Sequence, residues 1–312
     1  MIAVDVHQHL WPAEVLRALE RRTDAPYARP TAAGWCVTLP GEPAFLIDPL
    51  EHDVGARARD VRSAGLDRAL VALSSPVGIE ALPATEATPI IEAFNAAASA
   101  LPDELGWWGA VPLAGAAQEI VDAADRALDA GAAGIVVGAD ALGTPEGIEH
   151  NGPLLDRLQE RLAPLFVHPG PAPGNMVAPT VDAGWWAPTT RYVAGLHAAW
   201  HAWQGWGRAA HPTLHVVWAA LAGLAPLHAE RTTLRGGPAP DEPDALTFYD
   251  TSGYGPRALR WMACAVGTSQ LVNGTDAPVV APDPGEPLGA DAHQAFRTDN
   301  VARLLGTAWV AA

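Results

Sequence analysis

Two histidines one residue apart, His7 and His9, close the chain's first apolar run, Ile2-Ala3-Val4-Asp5-Val6. On an extended strand, residues i and i+2 share a face, so both imidazoles project together from one strand tip. Imidazole is the commonest biological metal ligand, and two on one face make half of a tetrahedral or five-coordinate site. Further ligand types stand at other strand ends. His168 ends Pro164-Leu165-Phe166-Val167, and Asp276 follows Leu271-Val272-Asn273-Gly274-Thr275. Three His and one carboxylate can bind one divalent ion and leave a position for water. Each residue alone also reads as ordinary structure: His168 as a satisfied strand-end histidine, Asp276 as a turn or helix N-cap residue. Their common placement at strand ends is what points to a metal, and such a set suits zinc, manganese or iron.

The elements that must position these residues alternate along the chain. Candidate strands are Ile2–Val6, Ala69–Leu73, Trp107–Val111, Gly134–Gly138, Pro164–Val167, Leu214–Ala219, Leu246–Tyr249 and Gln270–Gly274. Between them lie Ala/Leu/Arg-rich helical patterns at Val54–Ala64, Ile90–Leu101, Ala117–Ala130, Pro153–Leu162, Arg191–Gly205, Arg257–Val266 and Asp291–Leu305, with Leu224–Leu234 the weakest. Eight strands each followed by a helix predict one α/β domain, residues 1–312, folded as a (β/α)8 TIM barrel. Such barrels run to about 250 residues before insertions. The surplus lies after two strands. Leu10–His52 holds Gly34–Leu39, a turn at Pro40-Gly41 and Ala44–Ile47, which reads as a β-hairpin insertion after strand 1. Pro169–Pro188 is a long Pro/Gly/Trp-rich loop after strand 5, and Gly236–Pro243 and Pro278–Gly289 read as solvated loops. Barrel enzymes carry their sites at the C-terminal ends of the strands, where all four candidate ligands fall.

Composition narrows the chemistry. Of 312 residues, 49% are hydrophobic and 17% charged, which suits a large buried core. A net charge of −16 argues against nucleic acid and anionic membranes as partners. No apolar run approaches the roughly 20 residues of a membrane span. A cleavable leader would remove ligands that begin at residue 7, so none is expected. Two cysteines, Cys36 and Cys264, imply neither a disulfide framework nor a metal spacing, and a reducing cytoplasm is expected. The chain contains no lysine; all nineteen basic residues are Arg. That excludes Schiff-base chemistry, pyridoxal phosphate anchoring, a Walker-A lysine and a carbamylated-lysine metal bridge.

Six segments carry a resemblance that spans the chain: Val4–His9, Trp108–Leu113, Ala130–Ile135, Leu165–Pro169, Tyr249–Ser252 and Asn273–Pro278. In these the chain resembles the amidohydrolase superfamily, in the amidohydrolase-related branch that includes aminocarboxymuconate-semialdehyde decarboxylase and related hydrolases. The resemblance implies that His7, His9, His168 and Asp276 hold one catalytic divalent metal, usually zinc, and that Asp276 handles the proton of an attacking water. The chain departs from the family pattern after the sixth strand. Ala220 stands where relatives carry a His that polarises the substrate or shuttles a proton. Loss of one such group typically costs about 10²–10⁴-fold in rate. His228, in the loop after the same strand, is the first candidate to replace it; a surface histidine is the alternative.

Other residues weigh less. Trp11, just after His9, and Trp185-Trp186, in the loop after His168, could wall a planar or apolar substrate, with plain loop packing as the alternative. Tyr254 and Arg257, after the seventh strand, could meet a substrate carboxylate, although a surface ion pair is the commoner fate of such an Arg. His197 and His201 are i, i+4 on a helix, a metal-competent spacing, but helix packing is the better reading because no Glu stands beside His197. Trp200, Trp203 and Trp206 read as core or subunit interface; with the resemblance they point to a homodimer. The leading expectation is a metal-dependent hydrolase acting on a small amide, lactone or ester. The first alternative is a metal-dependent, non-oxidative decarboxylase of a small unsaturated or aromatic carboxylic acid. The second, given Ala220, is a catalytically impaired metal- or metabolite-binding homologue.

Overall fold

The computed structural model describes residues 1–40, 42–171, 184–238, 243–280 and 286–306. Eleven strands lie among them: β1 (Val4–His9), β2 (Tyr27–Thr31), β3 (Gly34–Thr38), β4 (Phe45–Ile47), β5 (Arg68–Ala72), β6 (Leu105–Trp107), β7 (Ile135–Gly138), β8 (Leu165–His168), β9 (Val216–Trp218), β10 (Thr247–Asp250) and β11 (Leu271–Val272). Leaving out β2–β4, eight parallel strands follow one another in sequence order, as β1-β5-β6 and β7-β8-β9-β10-β11. The two sheets meet at both edges. A parallel bridge, Gly109 to Ile135, joins the segment after β6 to β7, and another, Gln8 to Ala277, joins β1 to the segment after β11. The Val6 amide also donates to the Asn273 carbonyl at 2.8 Å. This cyclic order is the (β/α)8 barrel expected from the sequence.

The strands are short apolar runs because both faces are covered. Every residue of β7 and β8 is buried, as parallel strands between helices and a barrel interior must be. The surrounding helices turn one stripe inward. Ala117–Asp129 buries Ile120, Ala123, Ala124 and Ala127, a 3–4 spacing that defines one helical face. Asp53 caps Val54–Ser63, its carboxylate accepting from the Ala56 amide at 2.7 Å. Close approach is bought by glycine at one point in the wall: a Cβ at Gly134 would lie 2.2 Å from the Pro164 carbonyl and 2.7 Å from the Trp108 ring. Trp108 in turn donates its indole N–H to the Val6 carbonyl at 2.8 Å, tying its segment to β1.

The structure differs from expectation in three places. The insertion after β1 is a helix, Ala13–Glu20, followed by a three-stranded antiparallel sheet in the order β2-β3-β4 rather than a two-stranded hairpin. Arg29 and Pro30 hide β2 from a pattern search, yet β2 is an edge strand, where proline is tolerated. The expected helix Asp291–Leu305 is two, Ala290–Arg297 and Asp299–Leu305, broken at Thr298. In Leu224–Leu234, regular α-helix begins only at Ala229. Trp200 and Trp203 are core residues, whereas Trp206 is 56% exposed. Of the expected loops, 172–183, 239–242 and 281–285 lie outside the described residues. Among the described residues, no helix is long and apolar enough to cross a membrane.

Candidate metal centre

The ends of β1 and β8 and the turn after β11 bring His7, His9, His168 and Asp276 together. One ligand atom from each lies within 4.8 Å of all the others. His7 Nε2 stands 3.2 Å from His9 Nε2 and 3.1 Å from His168 Nε2. Asp276 Oδ1 lies 3.0 Å from His9 Nε2 and 3.4 Å from His7 Nε2. All three imidazoles are almost fully buried, while Asp276 opens partly to a cavity.

The opposite edge of each ring explains this convergence. His9 Nδ1 donates to the Ala72 carbonyl at 3.0 Å and His168 Nδ1 to the Pro169 carbonyl at 2.9 Å. His7 Nδ1 meets the Asp250 carboxylate at 2.7 Å. With Nδ1–H committed on all three rings, the Nε2 lone pairs point at one another. Such an arrangement is stable only around positive charge, and it is the ring orientation that second partners impose on metal-binding histidines. Electrostatics agree. Burial favours neutral His7, but the carboxylates of Asp250 and Asp276 outweigh it and lift the imidazole to about 9. Burial, with His7 and His9 as neighbours, holds His168 well below its ordinary value. Burial also opposes ionisation of Asp276, yet His7 and His9 overcome it and keep its carboxyl below the ordinary value. The donor set fits a divalent cation.

Two buried carboxylates that sequence reasoning missed build the frame. Asp250, wholly buried at the end of β10, binds His7 with Oδ2; its Oδ1 accepts from the Ser252 hydroxyl at 2.5 Å and from the Ser252 and Ala220 amides at 2.9 Å. Gly274 makes the approach of Asp250 to His7 possible. A Cβ there would lie 2.8 Å from Asp250 Cβ and 3.0 Å from His7 Cβ. Asp5, under the ligands on β1, accepts from the Thr275 hydroxyl at 2.6 Å and the Thr275 amide at 3.1 Å. It thereby fixes the turn that carries Asp276, whose φ is +61°. Both acids end or precede strand tips, and Tyr249–Ser252 already carried part of the family resemblance. Their partners, however, are up to 270 residues away, which no local pattern records.

The end of β9 is unlike the other rims. Ala220, Leu221, Ala222, Gly223 and Leu224 all adopt positive φ, from +47° to +67°. For L-residues this left-handed turn costs about 1–2 kcal/mol per residue, and it is held by Asp250 at Ala220 and by His197 Nε2 on the Gly223 carbonyl at 2.6 Å. Ala220 faces the cavity but brings no titratable group.

The cavity over these four residues has a volume of about 840 Å³. Trp11 and Tyr254 line it. Trp185 does not; it is 63% exposed, and its neighbour Trp186 takes the wall position. Arg257 is also absent from the lining and packs over the Trp261 ring. His228 also lies outside the lining, with its ring 5.1 Å from that of His197. The wall includes three polar residues that sequence reasoning did not single out: Glu42 from the β3–β4 connection, and Arg191 and Tyr192 at the start of the helix Arg191–Ala202. Nothing local marks them, because the cavity is formed by segments about 150 residues apart.

No protein-family profile matches the chain, and no curated protein matches it in sequence. Solved structures do match in fold. The IDCase of Metarhizium anisopliae, in apo form, superposes with a TM-score of 0.78 at 18% identity, over 97% of each chain. A protein described as amidohydrolase II gives 0.75 at 20% identity, over 97% of this chain and 99% of that one. The 5-carboxyvanillate decarboxylase of Novosphingobium aromaticivorans, complexed with manganese and 4-hydroxy-3-methoxy-5-nitrobenzoic acid, gives 0.73 at 16% identity, over 97% and 96%. The chain therefore shares the barrel fold of these proteins along essentially its whole length.

Proposed function

We propose that the protein is a metal-dependent, non-oxidative decarboxylase of a small aromatic or unsaturated carboxylic acid, built as one barrel domain in the amidohydrolase superfamily. The observation that carries this reading is the convergence of three oriented Nε2 atoms and Asp276 beneath an aromatic-walled cavity. Two of the three structures described above are an IDCase and a 5-carboxyvanillate decarboxylase, which moves decarboxylation ahead of the hydrolysis first expected.

His7, His9, His168 and Asp276 would hold the ion. A divalent cation bound there supplies a Lewis acid that neutralises and orients a substrate carboxylate. Zinc fits the donor set, and manganese does so equally. The chain's own groups do the rest. Trp11, Phe45, Trp186 and Tyr254 wall the cavity, so a flat apolar ring displaces water there. Breaking the bond to the carboxyl carbon leaves its electron pair on the ring carbon and releases CO2. That carbon then needs a proton. Asp276 touches two of these histidines and opens to the cavity; held as a carboxylate, it would take a proton from solvent and pass it to that carbon. His228 is not given a role, since it does not line the cavity. Hydrolysis stays the second reading, because the same ligand set is found in a fold that an amidohydrolase II also adopts. A reducing, cytoplasmic setting is part of this reading, because two cysteines imply no disulfide framework.

The test is a product assay on metal-loaded protein with a panel of benzoates, other unsaturated acids, lactones and amides. Decarboxylation releases one CO2 per acid consumed. Cleavage of a lactone or amide with no CO2 from any acid would replace this reading with hydrolysis. Binding without turnover would leave the metabolite-binding alternative.

A further inference from the structure

A second polar position lies on the cavity wall, apart from the metal cluster. The Glu42 carboxylate receives the Tyr192 hydroxyl on Oε2 at 2.8 Å and stands 3.9 Å from Arg191 Nη1 on Oε1. The Glu42 and Arg191 side chains are each only 7% exposed, and all three residues line the cavity. Arg191 is the only arginine in the lining among the described residues. Its charge is matched by Glu42. At the cavity floor, a divalent cation facing Asp276 would keep one charge, enough for a single substrate carboxylate. Among the described lining residues no further positive charge is left to meet a second anionic group, and an unmatched buried charge is strongly disfavoured. A carboxylate has about four lone-pair positions, so Glu42 retains acceptor capacity beyond Tyr192. It can accept a hydrogen bond from a substrate, and it repels an anion.

We propose that Glu42, held by Arg191 and Tyr192, is a specificity residue that selects substrates bearing a single anionic group, directed to the metal, and an uncharged hydrogen-bond donor such as a phenol or amine elsewhere on the ring. This rests on the carboxylic-acid reading above and narrows it from aromatic acids in general to hydroxy- or amino-substituted monocarboxylates. Ring dicarboxylates are excluded.

Calorimetric titration of manganese-loaded, full-length protein tests this without relying on turnover. The probes are 3- and 4-hydroxybenzoate, the matching methoxybenzoates and the matching benzenedicarboxylates, each against the wild type and Glu42→Gln. The tighter hydroxybenzoate is expected to bind about tenfold or more tightly than its methoxy and carboxy counterparts, since the latter two leave a buried acceptor unpaired or opposed. Glu42→Gln, checked for unchanged metal content, should shrink the penalty on the dicarboxylate by about tenfold. Tyr192→Phe keeps the Glu42 charge and should keep the wild-type ranking. A dicarboxylate that binds wild-type protein as tightly as the hydroxybenzoate would overturn the proposal, as Arg191 would then be reading a second anion. So would a ranking that Glu42→Gln does not alter. If none of the six acids binds, the carboxylic-acid reading itself falls, and this proposal with it; a wrong ranking among acids that do bind defeats the proposal alone.

Discussion

The molecule holds two clusters of three histidines, and they differ in what stands behind each ring. His7, His9 and His168 are buried, come from two strand tips 160 residues apart, and have every Nδ1 committed to a carbonyl or carboxylate. His197, His201 and His228 are partly buried or exposed and stand on one helix and a neighbouring turn, with ring centroids 5.1 and 6.3 Å apart. Here His197 spends Nε2 on the Gly223 carbonyl, and His201 Nδ1 faces the Thr232 hydroxyl at 3.5 Å. No carboxylate joins them among the described residues, and burial first of all lowers His197 and His201 below their ordinary values. The i, i+4 spacing of His197 and His201 is as good a metal signal on paper as His7-x-His9. What separates the clusters is the set of acceptors that turns the rings, not the spacing of the histidines.

The sharpest way to break this contrast is to remove ligands from each cluster. A His7→Ala/His9→Ala protein should lose its metal entirely, where the wild type holds about one equivalent after dialysis; elemental analysis reads this directly. Retained metal in that variant would place the ion elsewhere.

A buried acid outside both clusters tests the underlying rule that an incomplete partner set is met by a proton. Glu80 is 2% exposed, takes one hydrogen bond from Ser75 at 2.7 Å and leaves Oε2 without a partner. Burial above all raises it from 4.5 to about 7. A carboxyl whose folded value is raised stabilises the fold fully below its unfolded value and loses that contribution as pH rises through the folded one. Wild-type stability should therefore decline by about 3 kcal/mol between pH 4.5 and 7 on this account. Glu80→Gln should be free of the decline, so chemical denaturation should show the variant gaining on the wild type across that window. Parallel profiles would refute the assignment.

Asp250→Asn should weaken metal binding by about 10–100-fold without displacing any ligand, measured by titrating metal-stripped protein. An unchanged affinity would mean that the acceptor behind His7 is dispensable, and the contrast between the clusters would lose its cause. The smallest effect is expected from His197→Ala/His201→Ala. Metal stoichiometry should stay at the wild-type value, and loss of metal from this variant would reverse the roles of the two clusters.

The sequence made part of this legible, for physical reasons. Continuous β-branched runs mark barrel strands because both their faces are buried, so all eight strand positions and the four converging residues could be located to within a few residues. Asp250 and Asp5 carried no such mark, because their roles depend on partners reached only by closing the barrel. β2 was hidden by Pro30, whose missing N–H is harmless on an edge strand. The left-handed turn at Ala220–Leu224 runs against local preference in four non-glycine residues, so propensity pointed away from it. The Glu42–Arg191–Tyr192 group joins an insertion to a distant helix and has no sequence spacing to recognise.

The lacing of β1 to the segment after β11 has a consequence for biosynthesis. Two of the four converging residues are made within the first nine residues of the chain, but Asp276 and its Thr275–Asp5 tether arrive some 270 positions later. A nascent chain still on the ribosome presents His7 and His9 with neither Asp250 nor Asp276 beside them. Such a chain has no complete cage to offer a metal ion until Asp276 has emerged. Ion capture would then act as a late checkpoint, reporting that the barrel has closed.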